Sequence, residues 1–167
     1  MMQPSAEKLV HPFPPLYSAD SRVLILGTFP SVKSREQAFY YGHPQNRFWP
    51  VIAALYTENI PRTIPEKKGL ILRNHLALWD VIAQCEITGS SDASIRHAKP
   101  NDLTGILDRC PIGLIVCNGK TAKALYDRHI APGLRREALC LPSTSPANAA
   151  WSLDKLIAAW RVIKEYA

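Results

Sequence analysis

The sequence lacks most of the devices that would place a chain in a special class. No run of about 18 apolar residues occurs and no basic segment leads into an apolar one at the N-terminus, so neither a membrane span nor a secretory leader is supported and a cytoplasmic location is expected. There are four cysteines, Cys85, Cys110, Cys117 and Cys140, far apart and with no C-x-x-C among them. That spacing argues against an iron–sulfur cluster, and thiols inside apolar runs read as small buried hydrophobes. The five histidines are scattered, with no pair at helical spacing, so no metal is expected. Glycine-rich cofactor loops are missing too. Asn118-Gly-Lys-Thr follows an apolar run, but the phosphate-loop pattern needs a glycine at position 114, where Leu114 stands. With G-x-G-x-x-G and G-x-S-x-G also absent, nucleotide hydrolysis and serine esterase chemistry lose their best support, and no cofactor is expected.

What remains is an ordinary globular composition. The chain has 167 residues, 47% hydrophobic and 20% charged, enough for one domain with a real core and no covalent staples. Lysine and arginine outnumber aspartate and glutamate by 20 to 14, a net charge of +6, which is compatible with a polyanionic partner without requiring one. Many of the 14 prolines stand where the chain turns.

Residues 1–21 read as a Pro-rich lead-in anchored by Phe13, Leu16 and Tyr17. Short apolar runs predict strands at Val23–Leu26, Leu76–Trp79, Ile112–Cys117 and Ala138–Leu141. Between them, apolar spacing and end signals predict helices over Asn46–Tyr56, Pro65–Arg73, Asp102–Arg109 with Asn101 as N-cap, Ala122–Arg128 and Ala149–Tyr166, the last with Leu153, Leu156, Ile157, Trp160 and Ile163 on its apolar face. A helical turn is expected over Asp80–Cys85, a loop from Gly89 to Ser94, and an irregular functional loop from Val32 to Gln45. Strands alternating with helices predict an α/β three-layer sandwich: a short, largely parallel central sheet of about four strands, flanked by helices, with working loops at the C-terminal strand ends. The polar loops after Leu26, Cys117 and Leu141 would then share one edge.

The chemistry concentrates in residues 22–49. The strand Val23–Leu26 is stopped by Gly27-Thr-Phe-Pro, and Tyr40, Tyr41, His43, Asn46, Phe48 and Trp49 crowd into the ten positions that follow the loop. Flat aromatic faces beside amide and imidazole groups are the equipment for holding a planar heterocycle. Phe48 and Trp49 fall on the apolar face of a helix and read as core; of Tyr40 and Tyr41, one should point inward and one outward. Asn46 is equally able to cap the following helix. Gly119 and Lys120 either present an N–H and a cation to a phosphate or stand in solvent.

Together, Gly27-Thr-Phe-Pro-Ser, Tyr40-Tyr-Gly-His-Pro-Gln-Asn-Arg-Phe-Trp, Asn118-Gly-Lys-Thr-Ala and Leu141-Pro-Ser-Thr-Ser-Pro-Ala-Asn resemble the motifs of the uracil-DNA glycosylase superfamily. Within it the hypoxanthine-DNA glycosylase family is the nearest match and the mismatch-specific uracil-DNA glycosylases the next, over residues from about 13 to the end. Two positions depart from the wider superfamily. Phe29 stands where many members carry a water-positioning Asp or Asn, and Leu141 where others carry a catalytic His.

The resemblance implies a monofunctional glycosylase that flips deaminated bases, hypoxanthine or uracil, out of DNA and hydrolyses the glycosidic bond. It places the catalytic role on Asn46, holding water through its carbonyl oxygen, and base stacking on Tyr41. Thr28, Phe29 and His43 would line the base site, with backbone N–H groups of Thr28 and Phe29 facing the leaving base. Ser31, Lys120, Ser143, Thr144, Ser145 and Asn148 would face DNA, with the Thr144-Ser145-Pro146 tip as wedge. Lys33 reads as a solvated loop lysine rather than a Schiff-base nucleophile. The expected partner is DNA carrying a damaged base, bound by a monomer. The alternative is a non-catalytic nucleic-acid or nucleotide binding module on the same scaffold, in keeping with the missing Asp and His.

Overall fold

The computed structural model describes residues 7–88 and 94–167. Residues 1–6 of the lead-in and nearly all of the loop expected from Gly89 lie outside them. In chain order the elements are β1 (Glu7–Val10), β2 (Val23–Gly27), α1 (Val32–Gln37), α2 (Phe48–Leu55), α3 (Ile64–Arg73), β3 (Leu76–Asp80), β4 (Ile82–Ile87), β5 (Arg96–Pro100), α4 (Thr104–Arg109), β6 (Leu114–Asn118), α5 (Lys120–His129), α6 (Ala131–Leu134), β7 (Leu139–Leu141) and α7 (Leu153–Trp160), followed by a 3₁₀ turn, Arg161–Glu165.

A four-stranded sheet of order β3-β2-β6-β7 is parallel throughout. Every residue of β2 is buried, as a central strand covered on both faces must be, and its unbroken Val-Leu-Ile-Leu run is what such a strand reads like. Side chains alternate across the sheet. Val23, Ile25, Leu76, Leu78 and Val116 pack toward Phe48, Ile52, Leu70, Leu156 and Trp160 of α2, α3 and α7. Leu24, Leu26, Ala77, Ile115 and Cys117 pack the other way, toward Ile106, Ala122 and Tyr126 of α4 and α5. Each valine, leucine, isoleucine or phenylalanine among them contributes about 1.5–3 kcal/mol on full burial. The three-layer α/β expectation holds.

A second sheet was not anticipated. β1, β4 and β5 form an antiparallel ribbon with Leu9 opposite Cys85 and Glu86 opposite Arg96. The helical turn expected over Asp80–Cys85 is therefore wrong: β4 occupies that stretch. Two register shifts around Gln84 break the strict alternation by which a strand is recognised. β5 carries almost no apolar signal, its Arg-His-Ala-Lys-Pro being mostly exposed. The lead-in is correspondingly ordered: past β1, Phe13 is buried and Leu16 exchanges backbone hydrogen bonds of 2.9 Å with Leu78.

Several boundaries shift for local reasons. The loop from Val32 holds helix α1, capped by Ser31, whose hydroxyl accepts from the Ser34 N–H. α3 starts at a capping box in which Thr63 and Glu66 satisfy each other's backbone. Asn101 is not an N-cap; its Nδ2 donates to the Asp80 carbonyl at 2.9 Å, and Asp102 receives the Thr104 N–H. The final helix is shorter than Ala149–Tyr166: Ser152 caps it by accepting from Lys155 N, which leaves Leu153 39% exposed rather than on the buried face. Among the described residues no helix is long and apolar enough to cross a membrane.

The parallel register aligns the C-terminal strand ends. Gly27 lies beside Asp80, and Asn118 beside Leu141. At that edge the backbone turns away from the sheet and leaves room for a ligand.

Candidate active site

A cavity of about 300 Å³ opens at this edge, lined by Gly27, Thr28 and Phe29 after β2, Tyr41, His43 and Asn46 before α2, Asp80 and Asn118 at the ends of β3 and β6, and Ser143 to Pro146 after β7. It is at the small end of the range for ligand sites. It brings together the expected Thr28, Phe29, Ser31, Tyr41, His43, Asn46, Ser143, Thr144 and Ser145. Lys120 stands exposed at the start of α5, and Asn148 turns its Nδ2 back onto the Ser143 carbonyl at 3.0 Å; neither lines the cavity.

Both tyrosines border the cavity, so the inward and outward division expected from alternation does not hold; the left-handed backbone at Tyr41 breaks the extended geometry on which it rests. Tyr40 is buried, donating its hydroxyl to the Pro14 carbonyl at 3.0 Å. Tyr41 lines the cavity with a left-handed backbone, φ 52°, a conformation that costs a bulky residue energy and that surrounding contacts must hold. Its ring stacks on Phe48 at 4.0 Å between centroids. Its hydroxyl is buried with no hydrogen bond of good geometry. Burial first, then the charge of Asp80, push its ionisation above the ordinary tyrosine range, against a smaller opposing pull from Asn118. Tyr41 therefore meets a ligand as a neutral ring and O–H. Phe48 and Trp49 are core, as expected.

Asn46 is held more tightly than a free catalytic amide. Its Oδ1 accepts from Phe48 N at 2.9 Å and from the Thr144 hydroxyl at 2.8 Å. Those two donors use both lone pairs of a carbonyl oxygen. The role expected for that oxygen, orienting water, is thus taken up by the protein itself, and what Asn46 can offer a ligand is the N–H₂ of Nδ2.

Thr144 corrects a second expectation. It has no exposed surface and cannot be a DNA-facing tip residue. Its hydroxyl, which donates to Asn46, accepts from Asn118 Nδ2 at 3.0 Å, and its N–H donates to Asn118 Oδ1 at 3.0 Å. Asn118, Thr144 and Asn46 form one relay across the ends of two strands and the start of α2.

Around them, hydroxyls stabilise turns. Ser143 Oγ accepts from Ser145 N, and Ser145 Oγ from Ala147 N. Arg47 ties the loop down, donating to the carbonyls of Ser145 at 2.9 Å, Asn148 at 3.1 Å and Trp151. His43 accepts from Gln45 N through Nδ1, which leaves its ring proton on Nε2 at the cavity rim. The backbone N–H groups of Thr28 and Phe29 find no acceptor among the described residues.

Sequence reasoning missed the one carboxylate in the wall. Asp80 is 4% exposed, and its Oδ2 receives Nε2 of His11 at 2.7 Å. Its Oδ1 lies so close to Gly27 that a Cβ there would overlap it, which explains why glycine ends β2. A signal for Asp80 existed, an acidic residue closing an apolar strand. None existed for His11, which arrives from the lead-in through the β1 pairing.

The sequence and the fold are similar to those of known proteins. The sequence profile described as the uracil DNA glycosylase superfamily matches residues 14–164. The chain belongs to that superfamily. A curated relative from Methanosarcina acetivorans, named hypoxanthine DNA glycosylase, is 34% identical over 145 residues, 86% of this chain and 90% of the relative. One of the same name from Methanosarcina barkeri is 30% identical over 138 residues, 81% and 86% of the two chains. A solution NMR structure from Methanosarcina acetivorans, described as a candidate uracil DNA glycosylase, superposes with a TM-score of 0.75 at 31% identity, covering 91% of this chain and 96% of that one. Phe13, which lines the cavity, and His11, which holds the wall residue Asp80, both precede the superfamily match.

Proposed function

We propose that the protein is a monofunctional DNA glycosylase that hydrolyses the bond between deoxyribose and a deaminated base, hypoxanthine or uracil. The observation that carries this reading is the cavity itself, where the ring of Tyr41, the amide of Asn46 and the carboxylate of Asp80 meet beside free backbone donors. A flipped base fits it as a plane with one hydrogen-bonding edge. Extrusion costs a few kcal/mol, and stacking on Tyr41 returns about 1–3 kcal/mol of it.

Asp80 reads the edge. A carboxylate only accepts, so it favours the lactam N–H of hypoxanthine (N1) or uracil (N3). Adenine and cytosine present a lone pair at the same place and are repelled. That difference is what deamination changes.

The reaction adds water across the C1′–N bond: hydroxide equivalent to the sugar, proton to the departing base. Charge accumulates on the base as the sugar becomes oxocarbenium-like, so donors aimed at the base lower the barrier. Asn46 Nδ2 and the N–H groups of Thr28 and Phe29 supply them. With Asp80 engaged at the edge of the base and Asn46 unable to take up a proton, positioning and leaving-group stabilisation carry the rate.

The test is single-turnover excision on labelled duplexes carrying one hypoxanthine or uracil, read by alkaline cleavage. The expected result is cleavage that Asn46→Ala slows by about 10²–10³, the usual cost of one donor to a developing anion, with duplex affinity within about twofold. A folded wild-type chain that binds these duplexes and releases no base would overturn the assignment in favour of a binding module.

A further inference from the structure

The pairing of Asp80 with His11 plays no part in bond cleavage, and both side chains are almost sealed, 4% and 6% exposed for His11 and Asp80. The imidazole is held from behind. Its Nδ1 faces the Phe13 N–H at 3.5 Å, and its ring packs edge-on against Phe13 and Phe29, with centroids 4.6 Å and 6.0 Å away. With Nδ1 turned to a donor, Nε2 carries the proton that Oδ2 receives at 2.7 Å. Oδ1 has no hydrogen-bond partner among the described residues, and it sits against Gly27 in the cavity wall. A carboxylate that could offer two oxygens thus offers one.

The number matters because of guanine. Hypoxanthine and uracil each present a single N–H on the edge that Asp80 reads. Guanine presents N1–H and the 2-amino group side by side, the match for a carboxylate with both oxygens free. We infer that His11 is a specificity-determining residue: by occupying Oδ2 and turning it from the cavity, it lets the site take a base with one lactam N–H and excludes undamaged guanine. This rests on Asp80 reading the base. The device is built from the N-terminal strand, since β1 pairing on β4 is what carries His11 to the end of β3.

The experiment measures binding of duplexes whose target nucleotide is a 2′-fluoroarabino analogue, resistant to hydrolysis, bearing either hypoxanthine or guanine opposite thymine. The wild-type chain should prefer hypoxanthine by about tenfold or more, the scale set by one unmatched polar group. His11→Phe keeps an aromatic ring but frees Oδ2; the preference should fall at least about fivefold, mostly through tighter guanine binding. His11→Gln restores an N–H donor and should restore the preference. A wild-type chain that binds both analogues equally would sink the inference without any variant. So would a His11→Phe protein that loses both affinities in equal proportion, which is what a merely structural histidine predicts. Asp80→Asn separates the two readings: unchanged hypoxanthine excision by that variant would remove Asp80 from base recognition, whatever His11 does.

Discussion

At the scale of single residues, the site works by using up hydrogen-bonding capacity. Asn46 has its carbonyl oxygen filled and Asp80 has one carboxylate oxygen filled, so each presents only one kind of group to a ligand. Thr144 shares with the Phe48 N–H the fixing of which way the Asn46 amide faces. Thr144→Val keeps the shape, removes the hydroxyl, and leaves Asn118 Nδ2 without its acceptor. It should slow base excision by about tenfold to a hundredfold, the cost of one broken buried polar link. In an Asn46→Ala background the same change should cost almost nothing further, because its effect passes through Asn46, and Thr144→Ser should restore the rate. Equal slowing by Thr144→Val in both backgrounds would show that Thr144 acts on the fold rather than on the amide.

At the scale of elements, Arg47 makes the most side-chain bonds to the backbone of the segment between β7 and α7, beside the Asn118 and Asn46 bonds to Thr144 and the Trp160 bond to the Pro142 carbonyl. Arg47 donates to three backbone carbonyls of that loop, and its own N–H donates to the Thr144 carbonyl at 3.0 Å. The loop's internal serine turns contribute far less than these charge-assisted bonds. Arg47→Met should keep the apolar stem packed and lower unfolding free energy by about 2–3 kcal/mol. Duplex affinity should fall with it, since the loop then loses the fixed form in which it faces DNA. Urea unfolding and fluorescence anisotropy read the two effects; an unchanged midpoint would mean that the Thr144 bonds to Asn118 and Asn46 and the Trp160 bond to the Pro142 carbonyl hold the loop without Arg47. Gly119 serves the same junction: its φ of 99° and its N–H bond to the Leu141 carbonyl at 2.9 Å bring β6 and β7 together under Ser143.

At the scale of the whole molecule, one core meets the cavity at Tyr40 and Tyr41 and the other at Phe29. Burial raises the ionisation of Tyr40 and Tyr41 far above the usual value of 10.0, with the Asp80 charge adding to both; burial also lifts Tyr126, to about 12. In the unfolded chain these groups titrate near 10, so above that pH the unfolded state holds fewer protons than the native one and stability falls. Each contributes a loss of about 1.4 kcal/mol per pH unit beyond 10 until its folded value is reached. Burial also raises the thiols of Cys110, Cys117 and Cys140 above their ordinary 9.0, so the urea midpoint should begin to fall as pH approaches 9 and drop more steeply between pH 10 and 11. In Tyr40→Phe the drop should be shallower; an identical slope would mean that Tyr40 ionises as readily folded as unfolded.

Local pattern alone determined the parallel sheet, the helix faces and most of the cavity's rim. Val23–Leu26 reads as a doubly covered strand, and the polar-aromatic stretch Tyr40–Trp49 announces a binding surface, because hydrophobic periodicity and turn chemistry act over a few neighbouring residues. Asp80 was legible in principle, as a carboxylate ending an apolar strand. Tertiary structure alone decided the rest. β1 and β5 exist through pairing with β4 rather than through any apolar signal of their own, His11 reaches Asp80 across 69 positions of sequence, and Thr144 reaches Asn46 across 98. A hydrogen bond depends on distance and angle in space, and no spacing along the chain encodes whether a carbonyl oxygen is free for water or already filled.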